Sequence, residues 1–183
     1  VITDAGWTQR GDLIDAICNT FEETPPRRAY YPGAKERHEA FTNAHSGNVR
    51  TIGSASDALP WTIITDLDPT SEDEICFSTE AFCSVTSEVA LPSKDVVDYI
   101  QKAVDFCNDR IWGSLNAAII VHPDSLKDPA VKAAVEQAVA DLRFGSVAIN
   151  HWPALAYGFV TSTWGAFPGH DMYDIQSGVG VVH

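Results

Sequence analysis

The sequence predicts an α/β fold, a mostly parallel sheet with helices on both faces, in a single domain over residues 1–183. Three observations point there. Short apolar runs rich in β-branched residues, Trp61 to Thr65, Ala117 to Val121 and Ser146 to Asn150, suit strands buried on both faces. Longer segments with apolar residues at helical spacing alternate with them. The size, 183 residues with 45% hydrophobic and 20% charged residues, is that of one ordinary globular domain.

In chain order, Val1-Ile2-Thr3 reads as a strand. Leu13, Ile14, Ile17, Cys18 and Phe21 form the apolar stripe of a first helix, stopped by Pro25-Pro26. A polar helix follows Pro32-Gly33, with Ala34, His38 and Phe41 on one side. Residues 46–58 read as loop and short strand, and Trp61 to Thr65 as a buried strand. The acidic stretch Asp66 to Glu74 reads as a solvated loop. Cys76, between Ile75 and Phe77, falls in a strand-like run, and Ala81 to Leu91 has strand character. Ser93 or Asp95 caps a helix whose Val96, Val97, Ile100, Ala103, Val104 and Cys107 make one stripe. Ala117 to Val121 is the next buried strand. Asp128-Pro129 opens another helix, with Val131, Ala134, Val135, Ala138, Val139 and Leu142 facing the core. Gly145 is placed to terminate it before the strand Ser146 to Asn150. From Trp152 onward the chain is rich in glycine and aromatic residues with little periodicity, a composition that suits a pocket lining or a clamp.

With 12 basic against 25 acidic residues the net charge is −13, which argues against nucleic acid or an anionic membrane surface as partner. No apolar run approaches the roughly 20 residues that span a bilayer, and no secretion leader is visible, so a cytoplasmic location is expected. The four cysteines, Cys18, Cys76, Cys83 and Cys107, show no C-x-x-C pair and read as reduced thiols; a Cys76–Cys83 disulfide has only the even count in its favour. The six histidines are scattered with no H-E-x-x-H spacing, so the sequence offers no metal pattern. Met172 is the only methionine, so Val1 does not read as a translation start: either an upstream piece is expected to have been removed or the chain to be part of a longer protein.

Several segments resemble the aldehyde dehydrogenase superfamily. Glu80-Ala81-Phe82-Cys83-Ser84-Val85 is similar to its E-x-F-G-P-V motif. Ala103 to Asp109 resembles its helix ending in A-N-D, followed by Trp112-Gly113-Ser114-Leu115 in place of Y-G-L. Leu142-Arg143-Phe144-Gly145-Ser146-Val147-Ala148-Ile149-Asn150 resembles L-R-x-G-x-V-x-V-N. Trp164-Gly165-Ala166 and Ser177-Gly178-Val179-Gly180 resemble the two ends of F-G-G-x-K-x-S-G-x-G. The match is strongest from Glu80 to His183 and looser before Asp66.

The resemblance implies a segment of the catalytic domain of an NAD(P)-dependent oxidoreductase that oxidises a small-molecule aldehyde through a cysteine thioester. In the family the nucleophilic cysteine precedes the strand that Val1-Ile2-Thr3 resembles. The general-base glutamate and the coenzyme domain lie further upstream, so this chain is expected to work with the rest of a parent chain, in a homo-oligomer. Carried over position by position, Glu80 corresponds to a carboxylate that hydrogen-bonds the nicotinamide-ribose hydroxyls, and Phe82 to a ring packed beside the nicotinamide of NAD or NADP. One carboxylate can accept two hydroxyl hydrogen bonds at once, which orients the ribose. Trp152, Tyr157 and Phe167 are the candidates for the aldehyde-pocket wall, Trp152, Pro153 and Tyr157 occupying the stretch where the family places such aromatics. Three departures stand out. Cys83-Ser84 replaces glycine-proline, leaving the turn that presents Glu80 open to differ; Phe167-Pro168-Gly169-His170 stands where the family has a lysine; and the carboxy-terminal oligomer strand of the family would lie beyond His183. A non-catalytic binding or oligomerisation module of the same ancestry is the alternative. Of the cysteines only Cys83 lies near the nicotinamide side, with no His or Lys flanking it to activate the thiol.

Overall fold

The computed structural model describes residues 1–54, 56–169, 171–174 and 179–181. They divide into two compact units, Val1–Lys94 and Asp95–His183.

The first unit is built on a four-stranded sheet in the order β1-β4-β3-β2. β1 (Ile2–Asp4), β4 (Val85–Leu91) and β3 (Trp61–Leu67) are mutually parallel, and β2 (Val49–Ile52) runs antiparallel at the edge. β3 is buried on both faces over Thr62–Thr65, which suits its run of apolar and β-branched residues up to Thr65. Successive residues of a strand point to opposite faces. Ile63 packs against Ile14 and Cys18 of α1 (Arg10–Glu23), whereas Thr62 meets His38 of α2 (Ala34–Ala44) through a 2.8 Å hydrogen bond. The two helices thus cover opposite faces, as the sequence predicts. Phe21, near the end of α1, stacks on Trp61 at 5.4 Å between ring centroids, and the indole Nε1 donates to the Thr24 carbonyl just past the helix.

Three local expectations change in this unit. The acidic stretch begins inside β3: the register with β4 shifts between Ile64 and Leu67, and Asp66 takes a left-handed φ of 56°. The run around Cys76 is not a strand but a single helical turn, α3 (Ile75–Ser78). The Glu74 carboxylate accepts from the Cys76 amide at 2.8 Å, and the Glu74 carbonyl accepts from Phe77 and Ser78, so local capping overrides the β-propensity of the side chains. β4 begins at Val85 rather than Ala81, because Phe82 sits at φ 45° and breaks extended geometry.

The second unit packs α4 (Val96–Asp109) against α5 (Pro129–Asp141). Asp95, of the two predicted candidates, caps α4 by accepting from the Asp98 amide, and Asp128 caps α5 by accepting from Ala130. Val104, Ala138 and Leu142 form the core, joined by Ile100, Cys107, Phe144 and Val147. β5 (Asn116–Ile119) and β6 (Ser146–Ile149) are parallel and pair only with each other among the described residues. Residues 117–121 are not the fully buried strand expected: Ala117, Ile119 and Val121 are half-buried, Ala117 and Ile119 against the helical core, while Ala118 and Ile120 are exposed on the other side. Gly145 does not cap α5, which ends at Asp141 with Leu142 already extended. It meets instead the backbone of Gly165, at the end of β7 (Thr163–Gly165), which pairs antiparallel with β8 (Val179–Val181). The tail also holds a one-turn helix, α6 (Leu155–Gly158). No helix among the described residues is long and apolar enough to cross a membrane.

Candidate functional site

Glu80 and Phe82 lie on the turn that leads into β4, and both are exposed. Arg37 of α2 holds this turn. Its Nε donates to the Ala81 carbonyl at 2.8 Å and its Nη2 to that of Phe82 at 3.5 Å, while the guanidinium carbon sits 5.9 Å from the Phe82 ring centroid. Tyr31 also meets that ring edge-on, at 5.0 Å between centroids. Fixing two successive carbonyls stabilises the left-handed conformation of Phe82, which a bulky side chain rarely adopts unaided. The ring is thereby turned outward, 48% exposed. Cys83-Ser84 closes the turn: Val85 N donates to the Cys83 carbonyl, and Ser84 Oγ donates to that of Pro60 at 2.7 Å.

Beside the turn lies a groove of about 320 Å³ lined by Arg28, Tyr31, Trp61, Phe82, Cys83 and Ser84, among others. It offers flat apolar faces and a cationic rim, and Glu80 adds an exposed carboxylate next to it in sequence. Such a donor and acceptor set fits a ligand that combines an aromatic ring with hydroxyl groups. Tyr31 and Arg37 are the members that sequence reasoning missed. The proline-flanked, aromatic Tyr30-Tyr31 pair was the available signal, but nothing in the linear order links it to Phe82. The four cysteines are free thiols. Burial pushes the Cys83 thiol above its ordinary value, with Arg37 opposing only in part, so Cys83 lacks the lowered pKa of a nucleophile. Burial also pushes Cys107 up to about 11.

In the second unit Trp152 is 69% exposed and Tyr157 and Phe167 are also on the surface. Tyr157 packs edge-on against Trp164 at 5.3 Å, and the Phe167 amide donates to the Ser114 carbonyl. The segments that carried the resemblance interlock here. Asn108 Nδ2 donates to the Asp141 carbonyl at 2.9 Å, its Oδ1 accepts from the Arg143 amide at 2.8 Å, and the Arg143 guanidinium pairs with Asp109. A Cβ on Gly145 would lie 1.6 Å from the Gly165 carbonyl oxygen, so these glycines permit a direct backbone approach. Asn150, at φ 53°, extends the β5–β6 ladder with its side chain, which both accepts from and donates to the Val121 backbone at 2.8 Å. His170 and Ser177-Gly178 lie outside the described residues.

No protein-family profile matches the sequence, and no curated protein matches it. Solved structures do. The chain is similar to the NADP-dependent glyceraldehyde-3-phosphate dehydrogenase of Bacillus halodurans C-125, solved with NADP, at 13% identity and a TM-score of 0.67 over 98% of this chain and 34% of that one. It is similar to an aldehyde dehydrogenase of Bacillus cereus (13%, TM-score 0.65, 91% of this chain and 33% of that one). It is likewise similar to a salicylaldehyde dehydrogenase of Pseudomonas putida G7, solved with salicylaldehyde (13%, TM-score 0.62, 90% and 33%). The chain spans about a third of the length of these structures, and what it shares with them is the fold of one segment of an aldehyde dehydrogenase.

Proposed function

We propose that this chain forms part of the catalytic domain of an NAD(P)-dependent enzyme that oxidises an aldehyde to a carboxylate. In this reading Glu80 accepts hydrogen bonds from the nicotinamide-ribose hydroxyls, and Phe82 limits the freedom of the nicotinamide ring and its access to water. Trp152, Tyr157 and Phe167 supply a wall of the aldehyde pocket. A nicotinamide coenzyme, when bound, supplies the hydride acceptor. No cysteine of this chain serves as nucleophile; that group comes from the rest of the parent chain. The reading extends to a homo-oligomer in the cytoplasm.

The observation that carries the proposal is the outward-facing turn Glu80-Ala81-Phe82, held in left-handed geometry by Arg37, in a fold shared with aldehyde dehydrogenases. In an extended strand, Glu80 and Phe82 would share one face of the sheet; the turn pinned by Arg37 instead presents both to solvent ahead of β4. The test is steady-state oxidation of a panel of aldehydes by the complete parent protein. Glu80→Gln keeps the shape and removes the charge, and is expected to raise the coenzyme KM about 10-fold or more, with the aldehyde KM little changed, since a hydrogen bond to a charged group is worth roughly 1.5–3 kcal/mol. Trp152→Ala is expected to do the reverse. Absence of NAD(P)H formation with every aldehyde, or an unaltered coenzyme KM in Glu80→Gln, would overturn the assignment.

A further inference from the structure

Three side chains from two separate stretches of sequence converge at the end of α2 opposite α3. His45 follows the last residue of α2, Glu74 caps α3 and Cys76 lies in its first turn. One ligand atom from each, an imidazole nitrogen, a carboxylate oxygen and the thiol sulfur, lie within 4.8 Å of one another. His45 is 8% exposed and Glu74 11%.

The hydrogen bonds decide what the imidazole can offer. His45 Nδ1 is 2.7 Å from the Phe41 carbonyl, which can only accept, so Nδ1 carries the proton. In the neutral ring Nε2 then holds a lone pair, and it points at Glu74, 3.0 Å from Oε1 and 3.2 Å from Oε2. Two acceptors face each other in a largely buried place, and something positive must stand between them. A backbone carbonyl on the far nitrogen is also the arrangement that fixes the tautomer of metal-binding histidines. A proton on Nε2 would satisfy the pair alone, and the Cys76 thiol hydrogen-bonds the same carboxylate; all three groups thus share one point at which a cation can take the place of the protons.

We propose that His45 Nε2, a Glu74 carboxylate oxygen and Cys76 Sγ form a binding site for a divalent cation of the zinc class. The mixed nitrogen, oxygen and sulfur set suits a borderline-soft ion and disfavours magnesium or calcium, which take oxygen ligands. Three protein ligands leave a fourth tetrahedral position for water. On binding, the Cys76 thiol releases its proton to solvent and the sulfur donates an electron pair to the metal. With thiolate and carboxylate both anionic, the divalent ion makes the site neutral overall. The ion would tie the end of α2 to α3. The site is independent of the Glu80 turn and of the function proposed for it.

Cobalt(II) titration of the full chain tests this. The expected result is one tightly bound equivalent with a thiolate-to-cobalt charge-transfer band that zinc abolishes by displacement. Cys76→Ser is expected to remove the band, His45→Gln to weaken binding at least about tenfold, and Cys83→Ser to leave the band intact. Should His45→Gln fail to fold, Glu74→Gln, which keeps an amide oxygen for the cap, reads the same loss. Absence of tight stoichiometric binding of cobalt or zinc, or a band that survives in Cys76→Ser, overturns the site and leaves His45 and Glu74 as a protonated ion pair.

Discussion

Glu88 of β4 has no exposed surface, yet it is an acid in the middle of a sheet. Its carboxylate is answered from three sides. Arg10 reaches Oε1 through Nε at 2.8 Å and Oε2 through Nη2 at 2.6 Å, Thr3 Oγ1 donates to Oε1, and the Asp66 amide donates to Oε2 at 3.2 Å. Burial pushes the Glu88 pKa up, but the Arg10, Thr3 and Asp66 hydrogen bonds outweigh it and hold the group below its ordinary value. The left-handed Asp66 has a local cause here: the bulge turns its amide toward Glu88 while its own carboxylate takes the remaining Arg10 contact at 2.7 Å. Arg10→Met keeps the stem of the side chain and strands the buried charge. It is expected to cost about 3 kcal/mol in denaturant unfolding. The double variant Arg10→Met with Glu88→Met should recover part of that loss, since an absent pair costs less than an unpaired buried ion. A loss under about 1 kcal/mol for Arg10→Met would mean that Thr3 and the Asp66 amide suffice.

Elements in this chain are terminated and joined by specific small residues, and two glycines illustrate opposite uses. Gly11 lies in the first turn of α1 with open space where a Cβ would go, so Gly11→Ala should stabilise the helix by up to about 1 kcal/mol through lower backbone entropy in the unfolded chain. Gly145 has the Gly165 carbonyl oxygen 1.6 Å from the same position, and the Gly165 carbonyl carbon at 2.8 Å. Gly145→Ala must therefore move backbone, not a side chain, and is expected to cost about 1–3 kcal/mol or more. Thermal unfolding of the pair checks the sign of each. Position alone marks Gly145 as a helix terminator, and the structure gives it another role. α5 stops earlier because Leu142 turns extended into the core, which frees Gly145 to serve the contact with β7. The aromatic Phe82 could likewise be placed in its motif by sequence, but its outward presentation depends on Arg37, 45 residues away in the chain.

For the molecule as a whole, acid is the condition that should expose its weak points, and the sign is the same for each contributing group. His38 is buried against Thr62, and burial holds its pKa below the ordinary histidine value of 6.5. Its contribution is intact above that value and is lost as pH falls toward the lower folded value, because the unfolded chain takes up a proton that the folded one refuses. Glu88 and Asp66 follow at lower pH. Their folded values lie below the ordinary 4.5 and 3.8: for Glu88 burial pushes upward but is outweighed by the hydrogen bonds from Arg10, Thr3 and the Asp66 amide, and for Asp66 the Arg10 hydrogen bond is the chief cause. Their stabilisation holds above those ordinary values and disappears as pH drops through the folded ones. Melting temperature should therefore fall in two stages, first below about pH 6.5 and again below about 4.5, and His38→Gln should flatten the first stage. A melting temperature constant between pH 7 and 5 would remove His38 from this account.

The sequence by itself determined the alternation of helices and strands, the cap at Asp128, a choice of Ser93 or Asp95 for the other cap, the double burial of β3 and the ordered set of segments that resemble aldehyde dehydrogenases. These are local properties: periodicity, capping chemistry and short motifs act over a few residues and survive in the linear text. Only the tertiary structure decided which groups meet. It turned the Cys76 run into a capped helical turn, gave Gly145 a backbone neighbour in place of a capping role, set Arg37 and Tyr31 around Phe82, and gathered His45, Glu74 and Cys76. Apart from the locally capped turn at Cys76, these rest on contacts between residues far apart in the chain, such as Arg37 with Phe82 and His45 with Glu74. Their energies depend on burial and geometry that exist only after the sheet has formed, and a charge such as that of Glu88 reveals its role only once water has been removed from around it.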